Sequence, residues 1–240
     1  MKGILLAWLM ILTLAGCGGG GGDSGSTSSL ALPVGVWVGT SDTGKDSGVV
    51  VLPSGKAYSV YSDAGGLAGA VVGNMHMSAA FSFDFTAKDY GVDGSITAAN
   101  VTGTFREQQD MSVTVTETDG TITSSLLYQD LPAVTFADIA GTYDGDDGTF
   151  RVTTTIQSDG TITTLADNGC ATSGTLSQSG IDSAFSASLT YNNAACGTFS
   201  GETINGALVY DATNHGFYAA AHNANLTAGG ILQGALITTP

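Results

Sequence analysis

Laid against itself at an offset of about 105 residues, the chain matches itself four times in order, and a repeat of that length constrains the fold more than any single segment does. Gly35, Trp37 and Gly39 of "GVWVG" fall on Gly141, Tyr143 and Gly145 of "GTYDG", and "VVVLPSG", ending at Gly55, falls on "TTTIQSDG", ending at Gly160. "GLAGAV" around Gly69 then falls on "ATSGTL" around Gly174, and "AAFSF" from Ala79 on "SAFSA" from Ser183. Such a period is too long for a solenoid rung, so each unit is expected to be a domain with its own core. The units meet near "YQDLPAVTFAD", residues 128–138, around Pro132.

Within the second unit, eight short segments run from "GTY" to "ILQGALITT", broken by Gly, Asp and Asn turn signals. Val152, Thr154 and Ile156, with Phe150 before them, alternate as a strand with one apolar face does. Turns at such short spacing fit a sandwich or a barrel, and a barrel leaves no exposed edge. The expected fold class is all-β, two tandem small antiparallel up-and-down β-barrels of about eight strands each, over 31–130 and 135–240. Interiors this small are readily filled by their own side chains.

The 35 glycines and four prolines suit strands joined by tight turns. Six basic residues against 21 acidic ones give a formal charge of -15, which neutralises no phosphate backbone and excludes nucleic acid as a partner. The acidity favours solubility, and it would steer a basic partner.

Residues 1–16, "MKGILLAWLMILTLAG", carry Lys2, an uncharged apolar run and small residues before Cys17, the pattern of an export signal. The run is short for a ~30 Å hydrocarbon layer, which takes ~20 residues. Leu14, Ala15, Gly16 and Cys17 resemble the lipobox of bacterial lipoproteins. That resemblance implies cleavage before Cys17 and acylation of its sulfur and new amino group, anchoring the chain to a membrane. At ~0.8 kcal/mol per buried methylene, several acyl chains on one residue make release improbable. Gly18 follows where an Asp would hold such a protein in the inner membrane, so the resemblance implies outer-membrane delivery, with the surface or periplasmic face open. Residues 17–30 then form the lipidated cysteine and its Gly/Ser tether, whose coil spans about 20 Å.

Gly35-Val36-Trp37 resembles the Gly-x-Trp of the lipocalins, which implies that Trp37, and Tyr143 in the second unit, lie across a barrel floor. In organisation, two barrels on a lipid tether look like the Gram-negative surface lipoproteins that capture host proteins, such as the factor H-binding or transferrin-binding lipoproteins. No binding residue carries over.

With Cys17 assigned to lipid, Cys170 and Cys196 form an even pair in an exported chain and are expected to bond to each other. The three histidines, His76, His215 and His222, show no ligand spacing. Asp144, Asp146 and Asp147 in "YDGDDGTF" read as a hairpin turn; weak calcium binding stays open, although the EF-hand order fails at Gly148. No Gly-x-Ser-x-Gly elbow occurs, so no catalytic residue, no cofactor and no metal site is assigned.

The leading expectation is a non-catalytic binding or structural role in the envelope, toward an unknown protein. A second expectation is inhibition of a basic enzyme: Ser54, Gly55 and Tyr58 in "SGKAY" look like the Ser-Gly-x-x-Tyr loop of the membrane-bound C-type lysozyme inhibitors, without that family's paired cysteines. A third is carriage of a small apolar ligand, which needs a hollow barrel.

Overall fold

The computed structural model describes residues 30–64 and 66–238. The lipobox, Cys17 and the tether lie outside the described residues.

The first unit folds into β1 (Gly35–Ser41), β2 (Asp46–Val51), β3 (Lys56–Asp63), β4 (Gly66–Asn74), β5 (His76–Ala79), β6 (Ser82–Gly91), β7 (Ile96–Arg106), β8 (Asp110–Thr116) and β9 (Thr121–Gln129). Each pairs antiparallel with its sequence neighbour except across β5, and β1 also pairs with β9. The C-terminal half of β6 pairs with β4, from Gly69↔Gly91 to Gly73↔Ala87, while its first residues pair with β5. The β4–β6 pairing closes a ring of eight strands and leaves β5 as a short flap on its rim.

The second unit closes directly through β10 (Gly141–Asp146), β11 (Arg151–Ile156), β12 (Thr161–Ala166), β13 (Ala171–Ile181), β14 (Ala184–Tyr191), β15 (Thr203–Asp211), β16 (Gly216–Asn223) and β17 (Gly229–Thr238). The fold class is therefore the one expected, two closed antiparallel eight-stranded barrels in tandem. Val152, Thr154 and Ile156 do point inward and are buried, whereas Phe150 precedes β11 and is exposed.

Hydrogen bonds fix the true register of the repeat. Gly55 donates to Leu52 O and accepts from Met75 N, as Gly160 donates to Gln157 O and accepts from Leu176 N. Both glycines have positive φ, 86° and 85°, a conformation in which a side chain would be strained. Ala57 pairs with Gly73 as Ile162 pairs with Gly174, so the partner of Gly174 is Gly73 and not Gly69. Phe81 O accepts from Phe105 N as Ser183 O accepts from Tyr210 N, which aligns Phe83 with Phe185. The sequence matches at "GLAGAV" and "AAFSF" thus lie four and two residues off the structural equivalence, because the hairpins between them differ in length.

The barrels are not separate beads. Outward residues Val36, Val50, Tyr58, Ala70 and Val72 of the first form one buried cluster with Ala184, Ala207, Ala220 and Ile231 of the second. β3 and β4 face β16 and β17 there. Short side chains bring the walls close: a Cβ on Gly229 would stand 2.6 Å from the Tyr90 ring. At ~1.5–3 kcal/mol for each fully buried Val, this seam couples the two rings strongly. Between them, Val134, Phe136 and Ile139 turn the linker into a lid on the second core, with Phe136 5.3 Å from Phe185. Among the described residues every strand pairing lies between Leu30 and Thr238, so the body from Leu30 onward contains the described pairings of both rings.

Candidate functional site

Inward alternation fills one end of the first barrel and leaves the other open. At the closed end Trp37, 1% exposed, donates from Nε1 to Pro33 O at 3.0 Å and meets Tyr128 edge-on at 5.2 Å. Tyr143 repeats this in the second barrel: its hydroxyl donates to Ile139 O at 2.6 Å, and its ring meets Phe217 edge-on at 5.1 Å. Both aromatics thus secure the entering chain four residues upstream.

Toward the other end, the first barrel holds a cavity of about 340 Å³. Its walls are Val49, Ala57, Val71, Val101, Met111 and Leu126. Space exists because the inward positions nearer the rim, Ser41, Ser47, Ser59 and Ser124, are small. Ligand sites typically occupy roughly 300–1,000 Å³, with apolar walls and a few convergent polar groups.

The polar groups converge at the rim. Tyr61, on β3, donates its hydroxyl to Asp89 on β6, 2.8 and 3.0 Å from the two carboxylate oxygens. Glu117, just past β8, lies beside Asp89, and its Oε1 is buried without a donor. Two carboxyls can share a hydrogen bond only if one keeps its proton. Burial, then the hydrogen bond and charge of Asp89, push Glu117 up to about 7. Burial also raises Asp89, against the Tyr61 hydrogen bond that lowers it. The Tyr61 hydroxyl is raised by burial and by the Asp89 charge. Lys45 stands over the Tyr61 ring, Nζ 4.9 Å from its centroid, and Asp119 lines the same opening.

Sequence reasoning missed this cluster, yet a signal existed. Counting by twos from Phe83 gives Phe85, Ala87 and Asp89, and from Met111 it gives Val113, Val115 and Glu117, so two acids fall on the inward face of apolar strands.

A second cavity of about 350 Å³ runs from the interior of the second barrel to the β6–β7 turn of the first, past Ile162, Leu189, Tyr191 and Tyr90. It lacks a comparable charged cluster, Asp147 being the one acid along it.

The residues singled out from sequence lie apart. Cys170 and Cys196 are bonded to each other at the rim of the second barrel. Ser54 is exposed, Gly55 is buried in the β2–β3 turn, and Tyr58 is buried under the second barrel, so the three do not share an open loop. Tyr58 instead stacks on His222 and is pushed by burial up to about 12. His76 is exposed on β5, and His215 lies 3.3 Å from the Tyr210 hydroxyl. Arg151 donates to both oxygens of Asp144 and holds its carboxyl below the usual range. Asp146 accepts from Gly148 N and Gln233 Nε2, and Asp147 from Thr149 N and Phe150 N. All three carboxylates serve the turn. Among the described residues no helix is long and apolar enough to cross a membrane.

No protein-family model and no curated protein matches the chain. Among solved structures, a double mutant of the vaccine antigen transferrin binding protein B from Haemophilus parasuis is similar at 11% identity with a TM-score of 0.27. The match covers 80% of this chain and 65% of that one. At that score the two do not superpose closely, and the barrel assignment rests on the strand pairings above.

Proposed function

We propose that this chain is a lipid-anchored protein of the cell envelope, held at the outer membrane through Cys17, whose first barrel binds a small, mostly apolar ligand without catalysing its conversion. Residues 1–16 serve as the export signal and 17–30 as the tether, with 31–130 and 135–240 as the two working units. The observation that carries the reading is the 340 Å³ hollow, mostly apolar along its walls and charged only at its rim. It has room for about ten water-sized groups. A barrel built only as a structural post would be expected to pack that volume, since empty apolar space is destabilising.

The test uses the body from Leu30 onward, in which Trp37 is the sole tryptophan. N-phenyl-1-naphthylamine should brighten on binding at micromolar concentration and accept energy from Trp37, and Ala57→Phe, which fills the hollow, should remove at least nine-tenths of that signal. Binding unchanged in Ala57→Phe, in a protein that still folds, would place the probe elsewhere and overturn the reading. Mass spectrometry of protein isolated from its native host tests the anchor separately, through the mass added at Cys17.

A further inference from the structure

The rim of the first cavity holds more acceptors than donors. Asp89 accepts twice from Tyr61, and Glu117 lies beside it with Oε1 buried and without a donor. Asp119 adds a further carboxylate to the opening. One cation, Lys45, faces the Tyr61 ring and acts by its charge on Asp89 and Glu117 without forming an ion pair; among the described residues the ion pairs are Arg106–Asp110 and Arg151–Asp144, neither of them here. Below this opening the walls are mostly hydrocarbon, with hydroxyls from the small residues Ser47, Ser59 and Ser124.

We propose that the ligand of this cavity is an amphipathic ammonium, a protonated primary amine on an apolar body, with its head between Asp89 and Glu117 and its body along Val71, Val101 and Met111. This rests on the carrier reading above and names the chemical class that reading leaves open. An ammonium brings three donors and a positive charge to a rim where Glu117 Oε1 lacks a donor. A fatty acid or phosphate ester of the same length would bring another anion to three carboxyl groups, and like charges at such range disfavour the ionised form. An uncharged alcohol brings one donor and no charge.

The entering ammonium takes the place of the proton that Asp89 and Glu117 share, and that proton leaves to solvent. Binding therefore strengthens as the pH rises toward about 7, releasing close to one proton per ligand at about pH 6 and almost none at about pH 8. The groups facing the pair are Tyr61 from β3, Lys45 from the β1–β2 turn and Asp119 from the β8–β9 turn. None of these is a histidine that would titrate in the same window.

The experiment displaces N-phenyl-1-naphthylamine from the body with dodecylammonium, dodecanol and dodecanoate, each below its micelle concentration, at pH 8 and pH 5.5. Dodecylammonium should compete at least tenfold better than either of the others at pH 8, with the advantage shrinking to threefold or less at pH 5.5. Glu117→Gln with Asp89→Asn should erase the preference of dodecylammonium over dodecanol, and far-ultraviolet dichroism matching that of the unmodified body shows that the variant folds. Calorimetry at pH 6 in two buffers of different ionisation enthalpy should show the released proton. Because the whole chain is acidic, Ala57→Phe serves as the control for surface adsorption of the cation and should lose dodecylammonium binding. A preference for dodecanoate, or an ammonium preference that survives in the Glu117→Gln/Asp89→Asn variant, would overturn the proposal. If the naphthylamine itself fails to bind, the carrier reading falls and this inference with it; if it binds and the three competitors are equal, only the inference falls.

Discussion

The ring of Tyr58, on the outer wall of the first barrel, lies 26° from parallel to that of His222 on the outer wall of the second, their centroids 6.0 Å apart. Tyr58 is 3% exposed, so its truncation opens a hole in the seam and not in either barrel. Tyr58→Ala should lower the unfolding free energy by about 3 kcal/mol, at the low end for a buried aromatic. Urea unfolding followed by Trp37 fluorescence and by far-ultraviolet dichroism should give one coincident transition in the unmodified body. Two resolved transitions would show that the seam does not couple the rings.

The Asp89–Glu117 pair makes stability depend on pH in an uncommon direction. Folded, Glu117 holds its proton up to about 7; unfolded, it releases it near the ordinary 4.5. Between those values the folded form binds more protons, so the contribution of this group is full below the lower value and lost as the pH rises through the upper one. Glu117→Gln should therefore stabilise the body at pH 8, by on the order of 1 kcal/mol once solvent screening at the rim is allowed for, and change little at pH 4.5. Thermal melts at both values measure this. Equal effects at the two would argue against a shared proton.

The Cys170–Cys196 bond closes a sequence separation of 26 residues. In the chain-entropy account a loop of that size stabilises by about 3 kcal/mol. Replacing both cysteines by alanine should lower the denaturant midpoint accordingly without changing the dichroism of the folded state. A midpoint unmoved by the double substitution would mean that the loop ends are held together as firmly by other contacts, such as the bond from Asn192 N to Ala171 O.

Tyr143→Phe keeps the ring against Phe217 and removes only the donor to Ile139 O. The buried carbonyl is left unpaired, so about 1–2 kcal/mol should be lost, read from the same urea curves. A neutral result would imply that the carbonyl finds another donor.

How far the sequence reaches depends on the range of the interaction. Alternation at Val152, Thr154 and Ile156 and the turn glycines at 55 and 160 act locally, so strands and hairpins are legible. The Cys170–Cys196 pair is legible without the fold, as the two cysteines that remain once Cys17 is set aside. Register across the repeat is less so: Gly69 and Gly73 sit in one small-residue strand, and only the cross-strand bonds to Ala57 choose between them. The rim cluster joins Tyr61, Asp89 and Glu117 from three separate strands or turns, and nothing local states that their side chains meet. The seam carried a signal that alternation obscures: "VVV" at 49–51 and "AVV" at 70–72 are unbroken apolar runs, as expected of strands covered on both faces.

The alanines at 184, 207 and 220 have one further implication, for descent. Once duplicated halves lean on each other through flanks of small apolar side chains, neither can be discarded, because the survivor would present a greasy strip to water and stick to its own kind. Mutual dependence of this sort lets each ring keep open space inside, because its wall is braced from outside by its sibling.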